Sequence, residues 1–275
     1  MALPACRLES ASQSFRLYVS PFCFWELLTH LEDVHARKGE RFREIKGTLM
    51  KFRYVEVLDD PIAEVYRLVF RSSDNVHGKV NDGDLIYAAL AALEHSESSS
   101  EFYGRFIEDQ SHQTFKIAGC VSRARERLQI DEQKFQAFLR EIVDRVRAGQ
   151  VRLTDASDYE RGVQDLCLGW WFQIRDSADD NPTVFERFVR KTYIYYAYLL
   201  HLARVYAART TDKIDQNDFE DVTLCLHLGL TDVAAVMTTD HGLRDCLRET
   251  LGTLNSMADV TRHTPLQVWE MATFG

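Results

Sequence analysis

Hydrophobic and polar positions between residues 216 and 245 predict a helix followed by a buried strand. Asn217 and Glu220 have the spacing of a capping box, so the helix is expected to begin at Asp218 with Asn217 as its cap. Apolar positions then recur at i, i+3, i+4 and i+7, which predicts one core-facing stripe: Val222, Cys225, Leu226 and Gly229. The unbroken apolar run at 233–237 is typical of a strand covered on both faces in a parallel sheet.

Acidic side chains border both of these elements. Asp218 and Asp221 fall one turn apart at the predicted helix start, and Asp240 follows the strand. Ligands of open α/β sheets bind beyond the carboxyl ends of the strands, and hard divalent cations prefer carboxylate oxygens. The arrangement therefore predicts a metal site, although acids at a helix start also stabilise the helix dipole without any ligand.

The N-terminal pattern predicts a second strand and helix. Residues 15–19 form a short strand-like run, Ser20 and Pro21 suit the cap and first position of a helix, and Gly39 is a plausible stop. Four apolar positions are expected to face the core: Phe22, Trp25, Leu28 and Leu31. Glu26 lies on this helix among apolar neighbours, and residues 54–60 predict another strand of the sheet.

The sequence pattern from about residue 61 to residue 210 predicts helices almost throughout. We therefore expect an α/β protein in which helix dominates, with a small parallel sheet built from both ends of the chain. Residues 1–275 are interpreted as a single domain, and the helical stretch at about 61–210 as an insertion into it.

Composition narrows the classes of function. The chain of 275 residues is 45% hydrophobic and 27% charged, as in an ordinary globular fold. Six scattered cysteines without a CxxC pair favour reduced thiols, and with no visible signal peptide or membrane span we expect a cytoplasmic protein that does not contact membranes. The net charge of −9 disfavours general nucleic-acid binding, but a metal-dependent nuclease gathers acids in its site.

Two segments carry a resemblance to a known family. VSPFCFWEL at 19–27 and NDFEDVTLCLHLGLTDVAAVMTTDHGLRD at 217–245 resemble the PIN-like nuclease domain. The resemblance covers roughly the first 60 and the last 65 residues and rests on spaced acids and short patterns. It implies a three-layer fold with a central parallel sheet of about four strands.

The resemblance also implies the chemistry of the site. Glu26, Asp221 and Asp240 match acids of the family and would be catalytic, and Asp218 would join them as a metal ligand. Such proteins bind Mg²⁺ or Mn²⁺ and cleave RNA, often as bacterial toxins or RNA-processing enzymes. The resemblance implies RNA as the substrate and an antitoxin or another protein as the partner. It does not decide whether the chain forms a homodimer.

One departure from the family concerns its leading aspartate, which ends the first strand. This chain has no aspartate before Asp33. Either the true start lies upstream of the one given, or the central metal ligand has been lost. The second alternative predicts a catalytically impaired PIN-like scaffold that binds protein or RNA through its helical region. A third interpretation is an unrelated helical interaction protein whose acids are surface charge.

Other polar and aromatic residues carry weaker signals. Thr238, Thr239 and His241 could contact phosphate or simply belong to the strand and loop, whereas Asp245 and His227 are expected to be helix surface and packing. One aromatic set could stack bases but is interpreted as helical core: Trp170, Trp171, Tyr193, Tyr195, Tyr196 and Tyr198. Three basic clusters are interpreted as solvated faces: Arg37–Lys38, Arg41–Arg43–Lys46 and Arg123–Arg125–Arg127.

Overall fold

Helices dominate the chain, as the sequence predicted. The computed structural model describes residues 17–31, 39–69, 82–109, 112–174, 182–210, 213–215, 217–231, 235–238, 241–255 and 267–270. The elements in chain order are β1 (Tyr18–Val19), α1 (Pro21–Thr29), α2 (Glu40–Leu49), a 3₁₀ helix (Met50–Tyr54), β2 (Glu56–Val57), α3 (Pro61–Val69), α4 (Asp82–Glu94), α5 (Ser99–Gly104), β3 (Phe106–Glu108), β4 (Thr114–Lys116), α6 (Ile117–Arg147), α7 (Ala156–Ile174), α8 (Pro182–Ala207), α9 (Asp218–Leu230), β5 (Ala235–Thr238), α10 (His241–Asn255) and β6 (Gln267–Glu270).

The described residues form two compact units. Unit 1 comprises those within 1–60 and 77–131, and unit 2 those within 61–76 and 132–275, so the chain passes from unit 1 into unit 2 inside helix α6. The helical stretch expected at 61–210 is therefore divided between the two units. Whether both units belong to one domain, as we expected for residues 1–275, stays a prediction.

The described strands pair in three separate sheets of two strands each. β1 pairs with β2 in parallel in unit 1, and β5 pairs with β6 in parallel in unit 2, with α10 between them in the chain. Parallel strand pairs are thus present at both ends of the chain, as expected, but strand β6 was not predicted. The described residues do not join the two pairs into the single central sheet of about four strands that we expected. The β1–β2 ladder is two residues long, so each strand offers little backbone for hydrogen bonds to a further strand.

Helices supply most of the core of unit 1. Helix α1 contributes Phe24 and Leu28, both fully buried, while the predicted core residues Phe22 and Trp25 are only partly buried. Helices α2 and α4 pack against it and supply further buried side chains: Phe42, Ile45, Leu49, Ile86, Ala89 and Leu93. The core face of α1 is therefore rotated toward Phe24, which leaves Phe22 and Trp25 at the edge of the core.

Gly39 begins a helix instead of ending one, which corrects the sequence interpretation. Helix α1 ends at Thr29, where the backbone N–H of His30 donates to the Leu27 carbonyl and that of Leu31 to the Leu28 carbonyl. Gly39 is the N-cap of α2 with φ 86°, a left-handed conformation that glycine adopts without strain. A glycine with positive φ fits either side of a helix boundary, so its position in the sequence did not determine which helix it bounds.

Unit 2 has a core of helices α7, α8 and α9. Helix α8 supplies a nearly continuous buried stretch that includes Tyr193, Tyr196, Tyr198, Leu199 and Leu200. Trp171 is also buried, and Trp170 packs at the edge of the same core with its ring 5.5 Å from that of Phe188. The interpretation of the aromatic set as helical core is confirmed.

The helix cap at Ser20 gives a first testable prediction. Ser20 has an extended backbone, and its hydroxyl oxygen accepts a hydrogen bond from the Phe22 N–H at 3.3 Å. Ser20→Ala should lower the free energy of unfolding by about 1 kcal/mol, because one amide at the helix start loses its acceptor. Chemical denaturation followed by circular dichroism measures the change. Ser122→Ala, at an exposed position within α6, is the control and should leave stability within about 0.5 kcal/mol of the parent.

Candidate functional site

The predicted site residues fall in both units. Asp218 and Asp221 lie in the first turn of α9 in unit 2, one turn apart as predicted. Glu26 lies on α1 in unit 1. Asp240 lies outside the described residues, in the two-residue connection between β5 and α10. The structure therefore brings Asp218 and Asp221 together on one helix, and it leaves their convergence with Glu26 and Asp240 a prediction.

Packing of α9 against α8 fixes where its first turn stands. Val222, Cys225 and Leu226 are almost completely buried, which confirms the predicted core-facing stripe. Gly229 completes it, because a Cβ at this position would lie 2.0 Å from the backbone oxygen of Lys191 on α8. The missing side chain permits this close approach of the two helices.

The cap of α9 differs from the predicted capping box. Asn217 has helical dihedral angles, φ −69° and ψ −18°, and its side chain makes no capping hydrogen bond. Because its backbone already belongs to the helix, its side chain does not reach back to the free amides of the first turn. Asp215 takes over part of this role, since its Oδ1 accepts the Asn217 N–H at 3.2 Å.

Asp218 is held by a tyrosine of the preceding helix. The Tyr206 hydroxyl donates to Asp218 Oδ2 at 2.5 Å and accepts the backbone N–H of Asp215 at 2.8 Å. Burial raises the pKa of Asp218 above its ordinary value, and the charge of Asp215 adds to the rise. The hydrogen bond from Tyr206, the charge of Arg209 and the backbone N–H of Asp215 oppose it. The net rise in pKa means that ionised Asp218 is less stable in the fold than in water.

Two arginine side chains lie at the end of α8, and the charge of Arg209 acts on the Asp218 carboxyl group. The Arg209 guanidinium carbon lies 4.5 Å from the centre of the Tyr206 ring, in a cation–π contact. Arg147 donates to the backbone oxygens of Tyr206 and Arg209, each at 3.2 Å. The end of α8 is therefore positively charged beside Asp218, and Arg209 is exposed, so it can contact an anion in solution.

The charges of Asp218 and Asp221 also act on α8 and α10. Both raise the pKa of the buried Tyr198 hydroxyl and of the Cys246 thiol, although burial is the larger cause at each group. Tyr198 is 1% exposed, and its hydrogen bond to Cys246 partly offsets the rise in the pKa of that thiol. The first turn of α9 therefore lies near the second turn of α10, the helix that begins directly after Asp240 in the chain.

Glu26 has a desolvated carboxyl group in its own unit. Burial raises its pKa above the ordinary value, and the nearby charge of His30 opposes the rise. The sequence had predicted that apolar neighbours would keep Glu26 from a purely exposed position, and its side chain is indeed partly buried. A raised pKa in a carboxylate is common at functional sites, though structural carboxylates show it as well.

The first turn of α9 offers two carboxylates to a metal ion. Among the described residues, no three His, Cys, Asp or Glu side chains are grouped so as to hold a metal ion. Asp218 and Asp221 supply two carboxylates, and Mg²⁺ is commonly held by one or two carboxylates together with water and substrate phosphates. The two α9 acids thus suit a partial Mg²⁺ or Mn²⁺ site that other ligands would complete.

The weaker candidates take mostly structural positions. Asp245 is 64% exposed in its side chain and pairs with neighbouring Arg244 at 2.8 Å, as expected for helix surface. His227 is buried on α9, as expected for packing. Thr238 ends β5 and His241 begins α10, whereas Thr239 and the Arg37–Lys38 pair lie outside the described residues.

Sequence reasoning missed two clefts. One, of about 260 Å³ in unit 2, is lined by both arginine and aspartate side chains: Arg145, Arg152, Arg161, Asp158 and Asp165. The other, of about 210 Å³ in unit 1, has Arg123 and Arg127 on one wall. A sequence pattern indicates the cleft in unit 1. On α6, Cys120, Ala124 and Leu128 recur every four residues and share a face with the two arginines of that cleft.

Comparison with known proteins gives no relative from which a function could be transferred. No protein-family model, curated protein or solved structure matches the chain. No described helix is both long enough and apolar enough to span a membrane. A function must therefore be argued from the residues themselves.

Proposed function

We propose that this chain is a metal-dependent endoribonuclease of PIN-like type, in which the unit 2 acids Asp218, Asp221 and Asp240 hold Mg²⁺ or Mn²⁺. The observation that carries the proposal is Asp218, a carboxylate whose pKa is raised by burial despite a hydrogen bond from Tyr206 and a nearby arginine. Such a group destabilises the apo protein when it is ionised, and a divalent cation beside it would remove that cost.

The neighbourhood of Asp218 supports the proposal in two further ways. Asp221 lies one turn away from Asp218, and the second turn of α10 lies near both acids. Asp240 directly precedes α10 in the chain. β5 and β6 are parallel with α10 between them in the chain, and ligands of such units bind at the carboxyl ends of the strands. Asp240 comes two residues after the end of β5.

In this mechanism each side chain has a defined task. When bound, Mg²⁺ or Mn²⁺ would supply a Lewis acid and an activated water for hydrolysis of a phosphodiester. Asp218 and Asp221 would orient the cation, and Tyr206 would hold the Asp218 carboxyl group in place through its hydroxyl. Exposed Arg209 would bind a phosphate of single-stranded RNA, since guanidinium groups recognise phosphate oxygens.

A metal titration with an RNA-cleavage assay tests the proposal. Mn²⁺ or Mg²⁺ should raise the melting temperature and support cleavage that a chelator abolishes. Asp221→Asn should weaken metal binding by about 10–100-fold and lower cleavage with it. Asp144→Asn, which removes an exposed carboxylate of α6, is the matched control and should behave like the parent. RNA cleavage that continues at the same rate in excess chelator would contradict the metal mechanism.

A second candidate is the catalytically impaired PIN-like scaffold that binds RNA or a protein. The observation that favours it is the Tyr206–Asp218 hydrogen bond, which gives Asp218 a structural task in joining α8 to α9. Leu168 and Phe172, one turn apart on α7, are 36% and 59% exposed and offer an apolar contact in the helical region. Saturable RNA binding without cleavage in Mn²⁺, by the chain and by an N-terminally extended form, would favour the scaffold.

A further inference from the structure

Unit 1 contains a cleft at the carboxyl ends of its parallel strand pair. Pro21 and Phe22, at the start of α1, follow β1 after a single residue, and Asp60 follows β2; all three line the cleft. Its volume is about 210 Å³. Ligands of parallel α/β units bind at this edge, so the position of the cleft in the fold agrees with a binding site.

The walls of the cleft are mostly apolar and include flat rings. Phe22 and Trp25 stand on α1, Leu85 on α4 and Phe115 on β4. Helix α6 closes the opposite wall with side chains that share one of its faces: Cys120, Arg123, Ala124, Arg127 and Leu128. Burial raises the pKa of the Cys120 thiol, so it is a neutral, apolar part of this wall. Aromatic and aliphatic side chains of this kind favour an apolar ring as occupant.

The two arginines of the cleft differ in how their charges are balanced. Arg127 donates to Asp60 Oδ2 at 2.5 Å, and its Nε lies 3.5 Å from Asp131. Asp60 is 8% exposed in its side chain, so this pair fixes the Arg127 guanidinium and neutralises its charge. Arg127 also lies 5.8 Å from the centre of the Phe22 ring, and it therefore forms part of the wall.

Arg123 is the cation left for a ligand. Its Nη2 lies 3.6 Å from the Cys120 sulfur, and its guanidinium carbon lies 5.9 Å from the centre of the Phe115 ring. Within the described residues, the ion pairs at 4.0 Å or less include none with Arg123. A thiol and a ring do not neutralise a guanidinium, so Arg123 can accept an anion at the edge of the apolar cleft.

We propose that this cleft binds a small organic anion that consists of one flat ring carrying a carboxylate or a phosphate. The ring lies among Phe22, Trp25 and Phe115, and the anionic group bonds to Arg123. An apolar cavity of roughly 150 Å³ holds a benzene ring, so the larger cleft has room for one ring with a short charged group. This inference is independent of the nuclease proposal, which concerns the acids of unit 2.

Calorimetric titration with matched probes tests the inference. Benzoate and phenyl phosphate carry both ring and anion, benzyl alcohol carries the ring alone, and inorganic phosphate carries the anion alone. We expect benzoate or phenyl phosphate to bind at least tenfold more tightly than either single-feature probe. The preferred anion of the two distinguishes a carboxylate ligand from a phosphate ligand.

Two substitutions assign the binding to this cleft. Arg123→Gln should weaken binding of the preferred anion about tenfold or more, as expected for loss of a charged hydrogen bond, and leave benzyl alcohol unchanged. Ala124→Phe should fill the cleft and abolish binding of every ring-bearing probe. Arg140→Gln removes another exposed arginine of α6, whose side-chain bond among the described residues is to Gln136. It is the control and should bind like the parent.

Several outcomes would overturn the inference. They are the absence of saturable binding by all the probes, equal affinity of the parent and Arg123→Gln for the anion, and inorganic phosphate binding as tightly as phenyl phosphate. Circular dichroism melts of each variant establish that it is folded. If Ala124→Phe fails to fold, a competition experiment on the parent replaces it. Benzoate and benzyl alcohol should then compete for one site, and independent binding of the two would contradict a shared cleft.

Discussion

Gly229→Ala is expected to destabilise unit 2 by about 3 kcal/mol or more, the upper end of the range for overpacked cores. The new Cβ would lie 2.0 Å from the backbone oxygen of Lys191 and 3.0 Å from its carbonyl carbon. A flexible side chain could move aside, but these atoms belong to the backbone of helix α8. The two helices would have to separate, which exposes the buried stripe of α9 that packs between them.

Chemical denaturation followed by circular dichroism measures this loss. Gly169→Ala on α7 is the matched control, since a Cβ there meets nothing within 4 Å. It should stabilise the protein by roughly 1 kcal/mol, because alanine favours a helix interior over glycine. If Gly229→Ala unfolds within about 1 kcal/mol of the parent, the close approach of α8 and α9 is not a feature of the folded protein.

The same helix shows how much of the fold a sequence can predict. The spacing of Val222, Cys225, Leu226 and Gly229 placed the core face of α9 correctly, because helical periodicity is a local property of the chain. The start of α1 at Ser20 and Pro21 was equally local and is confirmed. The strands β1, β2 and β5 were also predicted from apolar runs separated by helices, a pattern that favours parallel pairing, whereas β6 was not predicted.

Very short strands and features that depend on distant contacts were not predictable. The β3–β4 hairpin has strands of three residues each, too short for a period of two to stand out from a helical region. The separation of the parallel pairs into two sheets depends on which unit each strand joins, and no local pattern encodes that. Sequence reasoning found single elements reliably and their assembly only in part.

The features of the candidate site also divide into those that a local pattern predicts and those that depend on the packing of distant elements. The one-turn spacing of Asp218 and Asp221 followed from helix geometry. The hydrogen bond from Tyr206 to Asp218 did not, because it crosses from one helix to the next and depends on their packing. The unit 1 cleft was missed for the same reason, since its walls come from α1, α4, β4, α6 and the residue Asp60.

Asp218→Asn should remove the metal response of the protein. Asparagine keeps an acceptor for the Tyr206 hydroxyl but lacks the charge that a hard cation requires. Under the nuclease proposal, the Mn²⁺-induced rise in melting temperature should disappear, as for a 10–100-fold or greater loss of metal affinity. RNA cleavage should fall in the same proportion. Melts with and without Mn²⁺, together with cleavage assays, measure both effects.

The pH dependence of the same variant tests the raised pKa of Asp218. An acid with a raised pKa in the folded state stabilises the fold less when it is ionised than when it is protonated. Relative to Asp218→Asn, the parent should therefore lose stability as the pH rises above about 3.8, the ordinary value for aspartate, and through the raised pKa. At pH 7 the asparagine variant should be the more stable without metal, by less than about 1 kcal/mol because the site is partly exposed.

Tyr206→Phe separates the metal site from a purely structural Asp218. The phenylalanine keeps the ring beneath Arg209 but removes the hydroxyl that bonds to Asp218 and to the Asp215 amide. It should cost about 1–3 kcal/mol of stability and leave the carboxylate able to bind Mn²⁺. Under the nuclease proposal, Tyr206→Phe therefore keeps a metal-induced rise in melting temperature, reduced because the carboxylate loses the hydroxyl that orients it, and Asp218→Asn loses the rise altogether. An unchanged metal response in Asp218→Asn, with Tyr206→Phe less stable than the parent, would make Asp218 a link between α8 and α9 and remove it from the metal site.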